Sequence, residues 1–319
     1  MVVGDFIIEV LGPVLESLEP IVPGEWFPLY FIRPYLQRPL IAAVFVAMVA
    51  GFLGSFLLIR NLALIGDGLA HVSFGAIAIG LVVGIVDPLI WAFVLCVISA
   101  ILIDFLQVKK WLTGDTAIAI FLTGMLGLGV VVTRLYGGGS LISVEGYLWG
   151  NLNLIDSDSF EFIMIACIIS YLSLAIFYHS LLLISIDPIA ARIQGLPVRF
   201  IGLYWSILTA AVVVSMVQFV GVLLVTALIV TPAAIAQLLS RSFFMCVVLS
   251  QVLGVVTVLL GLYYSAELST DSGAMIALVS AIMFVVVAVS KGLIKQFTAA
   301  DNNSNCLLYT SPSPRDWTI

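Results

Sequence analysis

The stretch Leu62–Gly80, LALIGDGLAHVSFGAIAIG, decides how the rest of the chain is read. Apolar and small residues fill it except at Asp67 and His71, which stand four positions apart. In a helix that spacing stacks the two side chains on one face. An ionised carboxylate at the centre of a bilayer costs at least about 2.5 kcal/mol, so a polar pair inside a span is kept for function or for a partner. The surroundings must therefore be identified first.

They are lipid. Of 319 residues, 62% are hydrophobic and 9% are charged, and the mean hydropathy is +1.24. A soluble domain carries about 25% charged residues. Too little polar surface exists to coat a water-soluble globule, so the chain reads as all-α, a polytopic transmembrane helical bundle. A net charge of −6 argues against nucleic acid as a partner. Cys96, Cys167 and Cys246 lie in apolar runs and read as small core residues; Cys306 lies in the polar tail. The acidic N-terminus, with Asp5, Glu9, Glu16 and Glu19, lacks the basic start of a cleaved signal.

Three segments follow. Residues 1–37, broken by Pro13, Pro20, Pro23, Pro28 and Pro34, read as an amphipathic segment at the membrane surface. Residues 38–296 read as the transmembrane domain. Residues 297–319 are polar and aperiodic, predict disorder, and differ enough in composition to stand outside the functional fold. A span needs about 20 apolar residues. Candidates are 40–59, 67–86, 88–107, 115–134, 160–184, 200–218, 221–239, 243–264 and 272–290, which gives eight or nine spans depending on the short turn from Gln218 to Gly221.

The positive-inside rule tests this division. With the 60–66 link on the cytoplasmic side, Arg60, Lys109, Lys110, Arg192, Arg199, Arg241, Lys291 and Lys295 all fall inside. Arg33, Arg38 and Arg134 fall outside, with the acidic loops that carry Glu145, Asp156, Asp158, Glu161, Glu267 and Asp271. Merging 200–239 into one span would put Arg241, Lys291 and Lys295 on the wrong face.

Asp67 and His71 offer a divalent transition metal such as zinc, manganese or iron one or two oxygens and one imidazole nitrogen. The pair is incomplete as a closed site, which suits an ion that must also leave. Other readings stay open at this point. Asp67 can cap a helix starting at Gly66–Asp67, His71 can be a core histidine bonded to a carbonyl, or the two can relay protons. His179 reads as an interfacial side chain, and Asp104 as the charge partner of Lys109 and Lys110. Glu145, near the external mouth, can attract cations. The Gly137–Gly139 run has no following Lys and reads as an external turn.

A second informative stretch, SIDPIAARIQGLPVRF, runs from Ser185 to Phe200. It predicts a short cytoplasmic helix with Asp187 as N-cap, Pro188 at the first position and Gly195 as the stop. Either a docking element or an ordinary connection fits it. In VGVLLVTALIVTPAAIAQLLSRS, Val220 to Ser242, Pro232 interrupts a span whose freed backbone groups Thr231 can satisfy.

Taken together, these stretches resemble the ABC-3 family, the membrane permeases of bacterial and archaeal zinc, manganese and iron ABC importers. GFLGSFLLIRNLALIGDGLAHVSFGAIAIG, with its Gly-Asp-x-x-x-His core, YLWGNL from Tyr147, DPIAARIQGLPV, VGVLLVTALIVTPAAIAQLL and LSTDSGAMIAL occur in the family's order between Pro39 and Lys291. One departure is Ile189, where the family has an acidic residue.

The resemblance implies a homodimer of permeases in the plasma or inner membrane. It also implies a separate cytoplasmic ATP-binding subunit and an extracytoplasmic metal-binding protein. Asp67 and His71 become candidate metal contacts, and Asp187, Ala191 and Gly195 part of the helix that meets the ATPase. The chain contains no GxxxxGK[ST], so it is expected to be a transport subunit without its own ATP hydrolysis, catalytic residues or bound cofactor. The alternative is a permease for siderophores or cobalamin-type substrates, which need no intramembrane Asp/His pair. A membrane metalloenzyme would want a third strong ligand, and a secondary transporter would work without an ATPase.

Overall fold

The structure, a computed structural model, describes residues 2–84, 87–136, 157–222 and 225–306. All the described elements are helical. An acidic helix, α1 (Val2–Leu18), leads through a 3₁₀ turn (Glu19–Ile21) to the single turn α2 (Leu29–Ile32). α1 lays Ile7, Ile8, Leu11 and Leu15 on the bundle, while Phe6, Val10, Val14 and Leu18 line a second, exposed apolar face. Pro34 then stands at the first position of α3 (Pro34–Ile59), which therefore begins six residues before the expected span.

The remaining membrane helices are α4 (Ile65–Val83), α5 (Pro88–Val108), α6 (Gly114–Tyr136), α7 (Ser157–Ile176), α10 (Val198–Val220), α11 (Val225–Leu239), α12 (Phe243–Leu268) and α13 (Ser272–Cys306). Two short helices, α8 (Tyr178–Ile186) and α9 (Pro188–Ile193), connect α7 to α10. Among the described residues, eight helices are long and apolar enough to cross a membrane. The ninth apolar run is α11, whose 15 residues make about 22 Å of helix against the roughly 30 Å hydrocarbon core.

Three expectations shift. The run 160–184 is not one helix: it breaks at Phe177 between α7 and α8. The separation of 200–239 falls at Gly221, whose φ of +85° a side chain would resist. The polar tail expected to be disordered from 297 continues α13 as helix to Cys306. YLWGNL, Glu145, Asp156 and Gly137–Gly139 lie outside the described residues.

α3 and α4 form the centre and are buried on most sides, whereas α5, α6, α12 and α13 turn most of their surface outward. Lipid supplies no hydrophobic drive between helices, so small residues and hydroxyls set these contacts. Gly54 meets the carbonyl of Ile229 where α3 crosses α11, and a Cβ on Gly75 of α4 would stand 2.5 Å from the carbonyl oxygen of Met125 on α6. Ser250 of α12 donates to the Gly51 carbonyl at 2.7 Å, and its hydroxyl lies 2.8 Å from that of Ser55, clasping α12 to α3.

The two ends of the bundle separate by charge. Arg60, Arg192 and Arg199 meet at one end, Lys110 sits beside Arg60 there, and Arg241 sits beside Ile59. At the other end Arg38 donates to Ser157 at 2.6 Å, and Glu267 accepts the backbone N–H groups of Trp26 and Phe27, both at 3.0 Å. The basic end is the cytoplasmic one by the positive-inside rule.

Candidate metal path at the start of helix α4

α4 starts at Ile65, one to two residues before the start that would make Asp67 its cap. Leu64 is the N-cap position, with no side-chain capping bond, and Asp67 is the third helical residue. The capping reading is thereby removed: Asp67 lies in the first turn, where the helix dipole favours a carboxylate. His71 follows one turn later on the same face, with Nε2 3.8 Å from Oδ1 of Asp67. That separation is too long for a hydrogen bond.

The His71 side chain is 9% exposed and that of Asp67 31%. Nδ1 of His71 is buried with no hydrogen-bond partner. The alternative of a core histidine bonded to a neighbouring carbonyl fails on this observation. A buried, unpartnered ring nitrogen costs about 1–3 kcal/mol unless a ligand takes it up. The geometry therefore offers a carboxylate open to an approaching ion and an imidazole waiting behind it.

Two glycines frame Asp67. Gly66 faces α11, where a Cβ would stand 3.2 Å from Ile229 and 3.6 Å from the Thr226 hydroxyl. Gly68 faces α6, where a Cβ would stand 2.6 Å from Ile118. The absence of side chains at 66 and 68 lets both helices close on the turn that carries Asp67. Thr226 Oγ1 is itself buried and unpartnered. It adds a second orphaned polar atom to the neighbourhood, and a Thr in an apolar run gave no sign of this in the sequence.

Cys96, packed against α4, does not contribute a thiolate: it is buried, and its Sγ donates to the Leu69 carbonyl at 3.2 Å. Only nitrogen and oxygen donors are offered. Among the described residues, no three His, Cys, Asp or Glu side chains group closely enough to hold a metal.

The other sequence candidates lie apart. His179 is exposed on α8, edge-on to Tyr178 at 5.2 Å. Asp104 faces Arg60 rather than Lys109 or Lys110, and Lys109 instead sits over the Phe105 ring at 5.8 Å. At the cytoplasmic end, Asp187 caps α9 by accepting from Ile189 at 2.8 Å and Ala190 at 3.1 Å. Ala191 is buried beneath this helix, and Gly195 ends it with φ +82°. Ile189 and Ile193 stay 73% and 82% exposed on its outer face.

Three comparisons bear on this arrangement. A family model described as the ABC 3 transport family matches residues 33–291. The manganese transport system membrane protein MntC of Listeria monocytogenes is 33% identical over 252 residues, which cover 79% of this chain and 89% of MntC. The chelated iron transport system membrane protein YfeD of Yersinia pestis is 29% identical over 264 residues, 81% of this chain and 86% of YfeD. Among solved structures, PsaBC from Streptococcus pneumoniae in complex with Fab superposes with a TM-score of 0.71 at 30% identity, covering 79% of this chain and 90% of that one.

Proposed function

The chain belongs to the ABC 3 transport family and is the multi-pass membrane permease subunit of an ATP-driven importer of divalent transition metal ions; from that premise we propose that Asp67 and His71 are the side chains the ion touches on its way through. The observation that carries this reading is His71 Nε2 standing 3.8 Å from Oδ1 of the partly open Asp67, too far for a hydrogen bond between them and close enough for one ion to touch both. Thr226 supplies a neutral oxygen beside the same turn.

The chemistry is ligand exchange. The ion sheds part of its water, gains one carboxylate oxygen and one neutral imidazole nitrogen, and leaves when the bundle opens inward. Nitrogen and oxygen donors without thiolate accept manganese and ferrous iron, which soft sulfur sites favour less. Manganese is the first ion to test, because the MntC relative is a manganese system. Two side chains fill less than half of an octahedral shell, so water and a second copy of the chain across a two-fold axis complete it. Energy comes from a separate cytoplasmic ATP-binding subunit that meets the helix to which Asp187, Ala191 and Gly195 belong as cap, packed residue and stop, and cargo from an extracytoplasmic metal-binding protein.

Purified permease reconstituted with those two partners should take up radiolabelled manganese on ATP addition. Asp67→Ala together with His71→Ala should abolish uptake while leaving the elution profile unchanged. Uptake of a ferric chelate that persists in this double variant, with no uptake of the free ion by the wild type, would instead favour the siderophore-type alternative.

A further inference from the structure

A cavity of about 410 Å³ opens at the cytoplasmic end of the bundle, lined by Arg60, Asp104, Val108, Ser185, Arg192 and Arg199 among others. Three guanidiniums from α9, α10 and the end of α3 converge on it against one carboxylate. Asp104 is the counter-charge of Arg60, while Arg192 and Arg199 are exposed. Arg60 is half-buried and also lies over the face of Trp205, 5.6 Å from the ring centroid. Burial lowers the proton affinity of the Arg60 guanidinium, and Asp104 restores part of it. Three arginine forks gathered against a single carboxylate, one of them partly desolvated, leave an excess of positive charge that matches an oxyanion such as phosphate.

The wall at Val108 identifies the rest of the ligand. Val108 continues a row of exposed apolar side chains along α5, made by Phe105, Leu102, Ile98, Val94 and Ile90 at helical spacing. The half of the row nearest the cavity, Val108 to Ile98, runs about 15 Å, the depth of one leaflet of the hydrocarbon core and so of one acyl chain. A water-soluble anion has no use for such a track, whereas a lipid fills both parts at once.

We propose that this cavity holds the phosphate headgroup of an anionic phospholipid of the cytoplasmic leaflet, gripped by Arg60, Arg192 and Arg199, with an acyl chain lying along the α5 row. The position at the basic end of the bundle is where anionic headgroups are found. Arg192 turns toward this cavity while Ile189 and Ile193 on the same helix face outward, so a docked ATPase and a bound lipid use different faces of α9.

Native mass spectrometry of the full chain in detergent, titrated with phosphatidylglycerol, phosphatidylcholine or inorganic phosphate, tests this. Phosphatidylglycerol should be retained about tenfold better than phosphatidylcholine. Arg192→Gln and Arg199→Gln, both at exposed positions that leave the fold intact, should each weaken retention by about fivefold. The corresponding Lys variants should keep most of the retention, and millimolar phosphate should not displace the lipid. Equal retention of the two lipids, unchanged retention in the double Gln variant, or displacement by free phosphate would each overturn the assignment.

Discussion

Removing the cap of α9 tests the link from one side chain to energy coupling. α9 has six residues, far too few to hold a helix by propensity alone. Its first turn depends on Asp187, whose Oδ1 accepts from both Ile189 and Ala190. Asp187→Ala leaves those two N–H groups without an acceptor, and loss of an N-cap costs about 1 kcal/mol. With RT near 0.59 kcal/mol, that is about a fivefold shift toward the frayed state. Hydrogen exchange reads it directly. The amides of Ala191, Gln194 and Leu196 donate within and just after this helix, so they should exchange about fivefold faster in the Ala variant, and Ile189 and Ala190 should lose protection altogether. Asp187→Asn keeps an accepting oxygen without the charge and should restore most of the protection. In the reconstituted importer the Ala variant should lose ATP-driven uptake while binding metal as tightly as wild type. Unchanged exchange in the Ala variant would refute the capping argument, and equal damage by Asn and Ala would assign the effect to charge.

Three further outcomes follow from other parts of the bundle. His71 binds metal only with a neutral ring, so protons compete with the ion for it. Manganese affinity measured by calorimetry should therefore fall on acidification in wild type, and more shallowly in His71→Ala; parallel profiles would remove His71 from the site. Gly54→Ala drives a methyl group against the Ile229 carbonyl, a backbone atom that cannot step aside. It should destabilise the chain by about 1–3 kcal/mol, seen as a lower unfolding midpoint in detergent, whereas Gly202→Ala meets nothing within 4 Å and should be neutral or better. Glu267→Ala removes the acceptor that ties Trp26 and Phe27 to the outer end of α12. Proteolysis at Glu25 should then accelerate, and Glu267→Gln, which keeps Oε1, should stay resistant.

The helices were legible because lipid leaves the backbone no partner but itself, which forces long uninterrupted apolar runs. Their ends were less so. Phe177 carries no breaker residue, yet it separates α7 from α8, and nothing in the apolar composition of 160–184 marks it. Asp104 was read against Lys109 and Lys110 because those are near in the chain; its real counter-charge, Arg60, comes from another helix end and only the packing reveals it. α9 was read correctly down to its cap because Asp-Pro at the start and Gly at the end encode local backbone geometry, with no tertiary contact needed. The candidate site divides the same way. The four-residue spacing of Asp67 and His71 is a helix property and shows in sequence. The buried hydroxyl of Thr226 comes from a helix more than 150 positions away and shows only in three dimensions.

An incomplete set of donors is what an importer needs at this place. A metal held by four good protein ligands is bound with apparent energies of about 10–16 kcal/mol, and would leave far too slowly for transport. Conduction requires binding strong enough to draw the ion in and weak enough to let it go. On the reading proposed here, each copy of the chain commits one carboxylate and one imidazole, and the helices that bear on them are joined by close glycine contacts. Such contacts hold helices at fixed distances yet bury no charge between them, so whole helices can shift against one another as units. A small displacement of α4 relative to α11 would carry Asp67 away from Thr226 and remove donors from the ion together. Adding a charged ligand should therefore slow the importer: Thr226→Asp, a near-isosteric change that puts a carboxylate where the unpartnered hydroxyl stands, should raise metal affinity and lower the uptake rate. A variant that bound more tightly and transported faster would contradict the idea that the sparse donor set exists for release.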